Sequence, residues 1–173
     1  MLTQRGIEAN PKKCNAIIEM RSPTSVKAVQ RFIGHLTTIS RFLPKLAEQT
    51  QSIIQLLKKS AKFTWNDDCE QIFQKLKTNL TSPPILHKPD THTPLLVYIT
   101  ATDHTISVAL LQDVSGTQHT VYFVSRTLQD PETRYQMVEK LALSLVHAAY
   151  RLCPYFQNHN IIVKTDYPIH KIL

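Results

Sequence analysis

The chain carries 13 carboxylates among its 173 residues, and carboxylates are the groups best suited to metal-assisted phosphoryl chemistry. Two-metal hydrolysis needs three or four of them converging on cations about 3.5–4 Å apart. The one adjacent pair is Asp67-Asp68, in Trp65-Asn-Asp-Asp68. It follows Asn66, a good N-cap, and acids in a first turn suit the helix macrodipole. The pair is therefore expected to open a helix rather than hold metal. Asp103, Glu139 and Asp166 lie far apart in sequence, and a catalytic centre would require the fold to gather them. Asp103 reads as a turn residue. Asp166 stands shortly before Pro168, where it suits the start of a helix. The three cysteines form no CxxC pair and the eight histidines no HxxxH pair, so no Cys/His metal site is expected and a reducing compartment is the default. Gly6, Gly34 and Gly116 make no phosphate-cradling loop.

Cations are the second chemical signal. Lys and Arg total 20, for a net charge of +7. The excess is one-sided: residues 1–62 carry 11 basic and 3 acidic side chains, and residues 63–173 carry 9 and 10. A polyanion would be met mainly by the first third. Phe32, Trp65 and Phe73 could stack on bases, but their helical spacing favours the core.

The elements that must position these groups follow from periodicity. Asn10-Pro11 starts a helix running to about Met20. Ser22-Pro23-Thr24 starts a second, with Val26, Val29, Ile33 and Leu36 as its buried stripe and Lys27, Arg31 and His35 opposite. Pro44 starts a third, burying Leu46, Ile53, Leu56 and Leu57 and ending at Lys58-Lys59. Asn66 caps a fourth, with Phe73, Leu76 and Leu80 inward, ended by Ser82-Pro83-Pro84. The period then becomes strand-like over Leu95–Thr100, Ile106–Gln112 and Val121–Ser125, with a turn signal at Asp113-Val-Ser-Gly116. A long helix follows, with Tyr135, Val138, Ala142, Leu145, Ala149 and Leu152 on one face. The strand Ile161–Thr165 is expected parallel to the first. This is an α/β chain: short N-terminal helices, then a β-β-β-α-β mixed sheet. No apolar run approaches the ~18–20 residues of a membrane span, and the first residues lack the apolar core of a secretory signal.

An ordered series of motifs carries a family resemblance. Arg5-Gly-Ile-Glu-Ala-Asn-Pro11, Ser22-Pro-Thr-Ser-Val26, Gly34-His-Leu36, Ser40-Arg-Phe-Leu-Pro44, Phe63-Thr-Trp65, Phe73-Gln-Lys-Leu-Lys77 and Pro83-Pro-Ile-Leu86 resemble the thumb and connecting region of a gypsy-type LTR-retrotransposon reverse transcriptase. Val121-Tyr-Phe-Val-Ser-Arg126, Glu132-Thr-Arg-Tyr135, Glu139-Lys140 and Thr165-Asp166 resemble its RNase H-like domain. The wording is closest to the plant Tat-like group.

The resemblance implies a thumb-like helical segment over 1–62, a connecting helix and linker over 63–93, and an incomplete RNase H-like domain over 94–173. It implies a fragment of a Pol polyprotein, with palm and fingers upstream and RNase H and integrase downstream. At the family's metal-ligand positions stand Thr100, Leu141 and Asp166, so only Asp166 retains a carboxylate. A hydroxyl is a poor Mg²⁺ ligand, and Glu139 is rotated ~200° around the helix from position 141. The expectation is a non-catalytic module with no cofactor, where active relatives use Mg²⁺. The partner implied is an RNA–DNA or DNA duplex backbone, with Lys12, Lys13, Lys27, Arg31, Arg41 and Lys45 as candidate phosphate contacts on exposed helical faces. No membrane partner is implied, and the setting is intracellular, in a cytoplasmic particle or the nucleus. Two alternatives stand beside this: an active ribonuclease H built on Asp103, Glu139 and Asp166, and a decayed relic.

Overall fold

A computed structural model of the protein describes residues 1–58 and 62–167. Its N-terminal part is helical. Two short strands, β1 (Leu2–Thr3) and β2 (Gly6–Ile7), pair antiparallel ahead of it. Ile7 and Leu86 exchange backbone hydrogen bonds of 2.7 and 2.8 Å. Gly6 has φ +136°, and a Cβ there would collide with the Leu86 carbonyl oxygen, so only glycine lets the two segments approach.

Helix α1 (Pro11–Ile18) starts as its sequence requires: the Asn10 side chain accepts from the Lys12 N–H and Pro11 occupies the first turn. Helix α2 (Val26–Thr38) starts later than Ser22-Pro23, at the N-cap Ser25. Ser22 instead donates its hydroxyl to Glu70 at 3.0 Å, and Pro23 is buried. The expected third helix is two: α3 (Leu46–Gln49) and α4 (Gln51–Gln55). Thr50 between them leaves helical geometry, at φ −96° and ψ 5°, and its hydroxyl donates to the Leu46 carbonyl. Bonds of this type bend helices. Lys59, expected at the end of that helix, lies outside the described residues.

Helix α5 (Asp67–Thr81) is capped by the Asn66 side chain, which accepts from the Cys69 N–H at 2.9 Å, with Asp67, Asp68 and Glu70 in the first turn. It packs against α1 and shares one apolar cluster with α1 and α2. Phe32 and Phe73 are fully buried there, ring to edge at 4.9 Å. Trp65 packs on Phe73 at 5.9 Å and donates Nε1–H to Glu70 at 2.6 Å. All three aromatics are committed to packing.

A second apolar cluster lies under the sheet. Strands β3 (Leu95–Ala101), β4 (Thr105–Val114) and β5 (Thr117–Thr127) form an antiparallel meander, and β6 (Ile161–Lys164) adds parallel to β3, for the order β5-β4-β3-β6. The β4–β5 turn places Ser115 and Gly116 at φ 55° and 83°, the two positive values a right-twisted two-residue hairpin needs. The Asp113 carboxylate accepts from the Gly116 N–H at 2.8 Å. The strands run longer than their hydrophobic runs because the hairpin arms beyond the core remain paired.

Helix α6 (Met137–Arg151) packs on β3 and β4, followed by the short α7 (Cys153–Asn158). The stripe it buries differs from the expected one. Leu141, Ser144 and Ala148 face the sheet, with Leu152 buried just past the helix end; Val138 and Leu145 flank them half-buried. Tyr135 precedes the helix and is exposed. Small Ser144 and Ala148 let the helix backbone approach the sheet, an advantage that hydrophobicity counting does not register. Among the described residues no helix is long and apolar enough to cross a membrane.

Candidate functional site

The end of the sheet where β3 stops is built from three elements. In the β3–β6 ladder Leu95 faces Ile161 and Tyr98 faces Lys164. That register carries Thr100 and Asp166 to the same end of neighbouring strands. The first turns of α6 reach this end, because the Lys140 Nζ donates to the Asp103 carbonyl in the β3–β4 turn at 3.1 Å. The fold thus brings positions 100 and 166, and the start of α6 that carries 141, toward one end of the sheet.

The side chains there do not converge as metal ligands. Leu95, Val97 and Ile99 are buried in the cluster that holds Leu141, and Thr100, alternating with them, is exposed. Its cross-strand partner is Ser107, whose partner on β5 is Ser125, so a row of hydroxyls crosses the face opposite that cluster, where α3 covers Ser107 and Ser125. Leu141 is 2% exposed and fills the core. Asp166 is exposed just beyond β6. The helix it was expected to cap lies outside the described residues.

The displaced carboxylates are engaged elsewhere. Asp103 is a turn residue and exposed, with its carboxylate 3.8 Å from Lys140 Nζ. The Glu139 carboxylate accepts from the Gln136 backbone N–H at 2.7 Å, half of a capping box that starts α6. Among the described residues no three His, Cys, Asp or Glu side chains are grouped to hold a metal ion. The residues present do not fit the Mg²⁺ pair of an active RNase H.

The cationic candidates separate into two sets. Lys12 and Lys13 on α1, and Lys27 and Arg31 on α2, are exposed, with no ion-pair partner within 4 Å among the described residues. Arg21, Lys27 and Arg31 line one concavity at the α1–α2 elbow, and Arg21 was not among the sequence candidates. Arg41 is not on an open helix face. It is half-buried in a single 3-10 turn, with its guanidinium 5.0 Å from the Phe42 ring centroid. Lys45 is exposed but precedes α3 at φ 50° and pairs with Glu48 at 3.9 Å.

Other polar groups had little sequence signal. Gln112 is fully buried; its amide accepts from the Asp90 N–H and donates to the carbonyls of Asp90 and Thr93, pinning the linker ahead of β3. Arg126 forms a bidentate pair with Glu132, both contacts at 2.9 Å, and this hydrogen bonding holds the Glu132 carboxyl below its ordinary range. Burial, then the charges of Arg126 and Arg151, hold His147 below the usual imidazole value. The Ala47 N–H donates to the Ser125 hydroxyl at 2.9 Å, joining the helical part to the sheet.

A meander, a crossover helix and a parallel fourth strand, preceded by packed short helices, define an RNase H-like α/β domain attached to a thumb-like helical segment. The family model for the RNase H-like domain found in reverse transcriptase matches residues 65–163, and the chain belongs to that family. Among curated proteins it is 31% identical to the retrovirus-related Pol polyprotein from transposon opus of Drosophila melanogaster, over 96% of this chain and 18% of that protein. It is 29% identical to the polyprotein from transposon 297 and 27% to that from transposon 412 of the same organism, covering 16% and 13% of their lengths. The chain therefore spans less than a fifth of these relatives. Among solved structures, the foamy viral protease-reverse transcriptase in complex with dsDNA superposes with a TM-score of 0.79 at 19% identity, covering 99% of this chain and 36% of that one. The same protein in complex with an RNA/DNA hybrid superposes at 0.77 and 20% identity, covering 94% and 22%. At these identities the likeness is one of fold.

Proposed function

We propose that this chain is the thumb and a catalytically silent RNase H-like spacer of a retrotransposon Pol polyprotein, and that it positions an RNA–DNA or DNA template–primer duplex without cutting it. The observation that carries this reading is the make-up of the sheet end. Positions 100, 141 and 166 lie toward one end of the sheet, but Leu141 belongs to the core and Thr100 to a row of hydroxyls. Two Mg²⁺ ions require anionic oxygen ligands to offset their charge. The exposed cations on α1 and α2 supply what duplex binding needs, because each contacted phosphate releases a counterion. The foamy viral relatives, whose structures hold a hybrid or dsDNA, support the same partner. The rest of the Pol polyprotein is the second partner, with hydrolysis assigned to another domain. Assignment to the plant Tat-like group rests on motif wording, and the reading frame flanking the gene tests it.

Fluorescence anisotropy with a labelled RNA–DNA hybrid across a salt series, alongside a nuclease assay in Mg²⁺ and Mn²⁺, tests the proposal. Sequence-independent, salt-sensitive binding without cleavage is expected. Cleavage that Asp166→Asn abolishes would overturn it.

A further inference from the structure

A groove with a cavity volume of about 370 Å³ lies where the helical part meets the edge strand β5 and the last turns of α6. Its apolar lining includes the half-buried Ile33 and Ile54 from the helices and Phe123 from β5, with the hydroxyls of Thr37, Ser40 and Ser125 among them. Its mouth carries Arg126, His147 and Arg151. The volume falls within the range of small-molecule sites, and an apolar lining with a few convergent polar groups is their usual make-up.

The charge at the mouth sets the chemistry. Glu132 engages both terminal nitrogens of Arg126. Burial, then the charges of Arg126 and Arg151, holds His147 below the usual imidazole value, with Glu132 opposing. Arg151 is exposed and forms no ion pair among the described residues. A duplex backbone does not suit this place, since its phosphates would face the apolar side chains of Ile33, Ile54 and Phe123. We propose that the groove binds a small amphipathic anion: an aromatic or branched apolar body, seated on Ile33, Ile54 and Phe123, with one carboxylate, sulfonate or phosphate at Arg151 and His147. Because the lining comes from both parts of the chain, such a ligand would bridge the helical segment and the sheet.

The whole chain titrated with 8-anilino-1-naphthalenesulfonate tests this by fluorescence, with the His147 ring followed by NMR. Saturable one-site binding is expected, with a rise in the His147 titration midpoint as the bound anion offsets the arginines. Arg151→Gln should weaken binding about tenfold, the scale of one lost charge-assisted hydrogen bond. Lys164→Gln, an exposed charge on β6 at the opposite edge of the sheet, should leave it unchanged. Equal affinity for wild type and Arg151→Gln, equally tight binding of the uncharged N-phenyl-1-naphthylamine, or an unmoved His147 midpoint would each overturn the proposal.

Discussion

The Lys140 ammonium, on a side chain only 5% exposed, donates to the Asp103 backbone carbonyl at 3.1 Å, while the Asp103 carboxylate stands 3.8 Å away and 88% exposed. The tie therefore runs mainly through the carbonyl, and it fixes the start of α6 to the β3–β4 turn. Lys140→Ala should cost about 1–3 kcal/mol, because it removes a buried donor. Asp103→Asn should stay within about 0.5 kcal/mol, as for an exposed charge pair. Urea unfolding of the two variants checks the difference.

Positions 100 and 141 should respond unequally. Leu141→Ala opens a cavity in the core beneath β3 and should cost about 3 kcal/mol. Thr100→Ala, at an exposed strand position, should remain within about 0.5 kcal/mol. Denaturation midpoints at constant m report both. A tolerant Leu141 would contradict its core placement.

Gln112 makes three hydrogen bonds to the linker from a fully buried position. Gln112→Leu leaves the Asp90 and Thr93 carbonyls without their partner and should destabilise by about 1–3 kcal/mol. Amide exchange should accelerate first around residues 90–93.

Duplex binding should depend on the exposed cations one at a time. Lys12→Gln, Lys27→Gln or Arg31→Gln should each lower the salt slope by about 1 if that side chain contacts a phosphate. Arg41→Gln should change it little, because that guanidinium packs on Phe42. Anisotropy titrations at several salt concentrations measure the slopes.

Acid sensitivity should come from His147, Glu132 and Glu70, the last held low by hydrogen bonds from Gln74, Trp65 and Ser22. His147 is held below its ordinary value of ~6.5, so the unfolded chain protonates first and stability falls as pH drops below ~6.5. Glu132 is held low by Arg126, so its contribution is present above ~4.3 and is lost as pH falls through its lower folded value. Thermal melts of His147→Phe should lose the first fall, and melts of Glu132→Gln should shrink the second to the part that Glu70 contributes.

Much of the local structure was legible because its signals act within a few residues. Asn10, Asn66 and Asp113-Val-Ser-Gly116 satisfy neighbouring backbone groups, and they cap and turn as read. Alternation placed the meander and the parallel β6. The side chains that depart from expectation answer to distant partners. Ser22 serves Glu70, 48 residues on, and so does not start α2. Arg41 turns to Phe42 within a single helical turn packed near β5.

By itself, the sequence determined the elements, their order and the residue types at 100, 141 and 166, since periodicity, caps and side-chain identity are local properties of the chain. Only the tertiary structure decided that α6 turns its Leu141–Ser144–Ala148 stripe to the sheet, that Lys140 is buried against a turn, and that two arginines and a histidine share the mouth of an apolar groove. Burial, and the company a charge keeps, are set by the other segments packed around a residue, which a linear pattern does not contain.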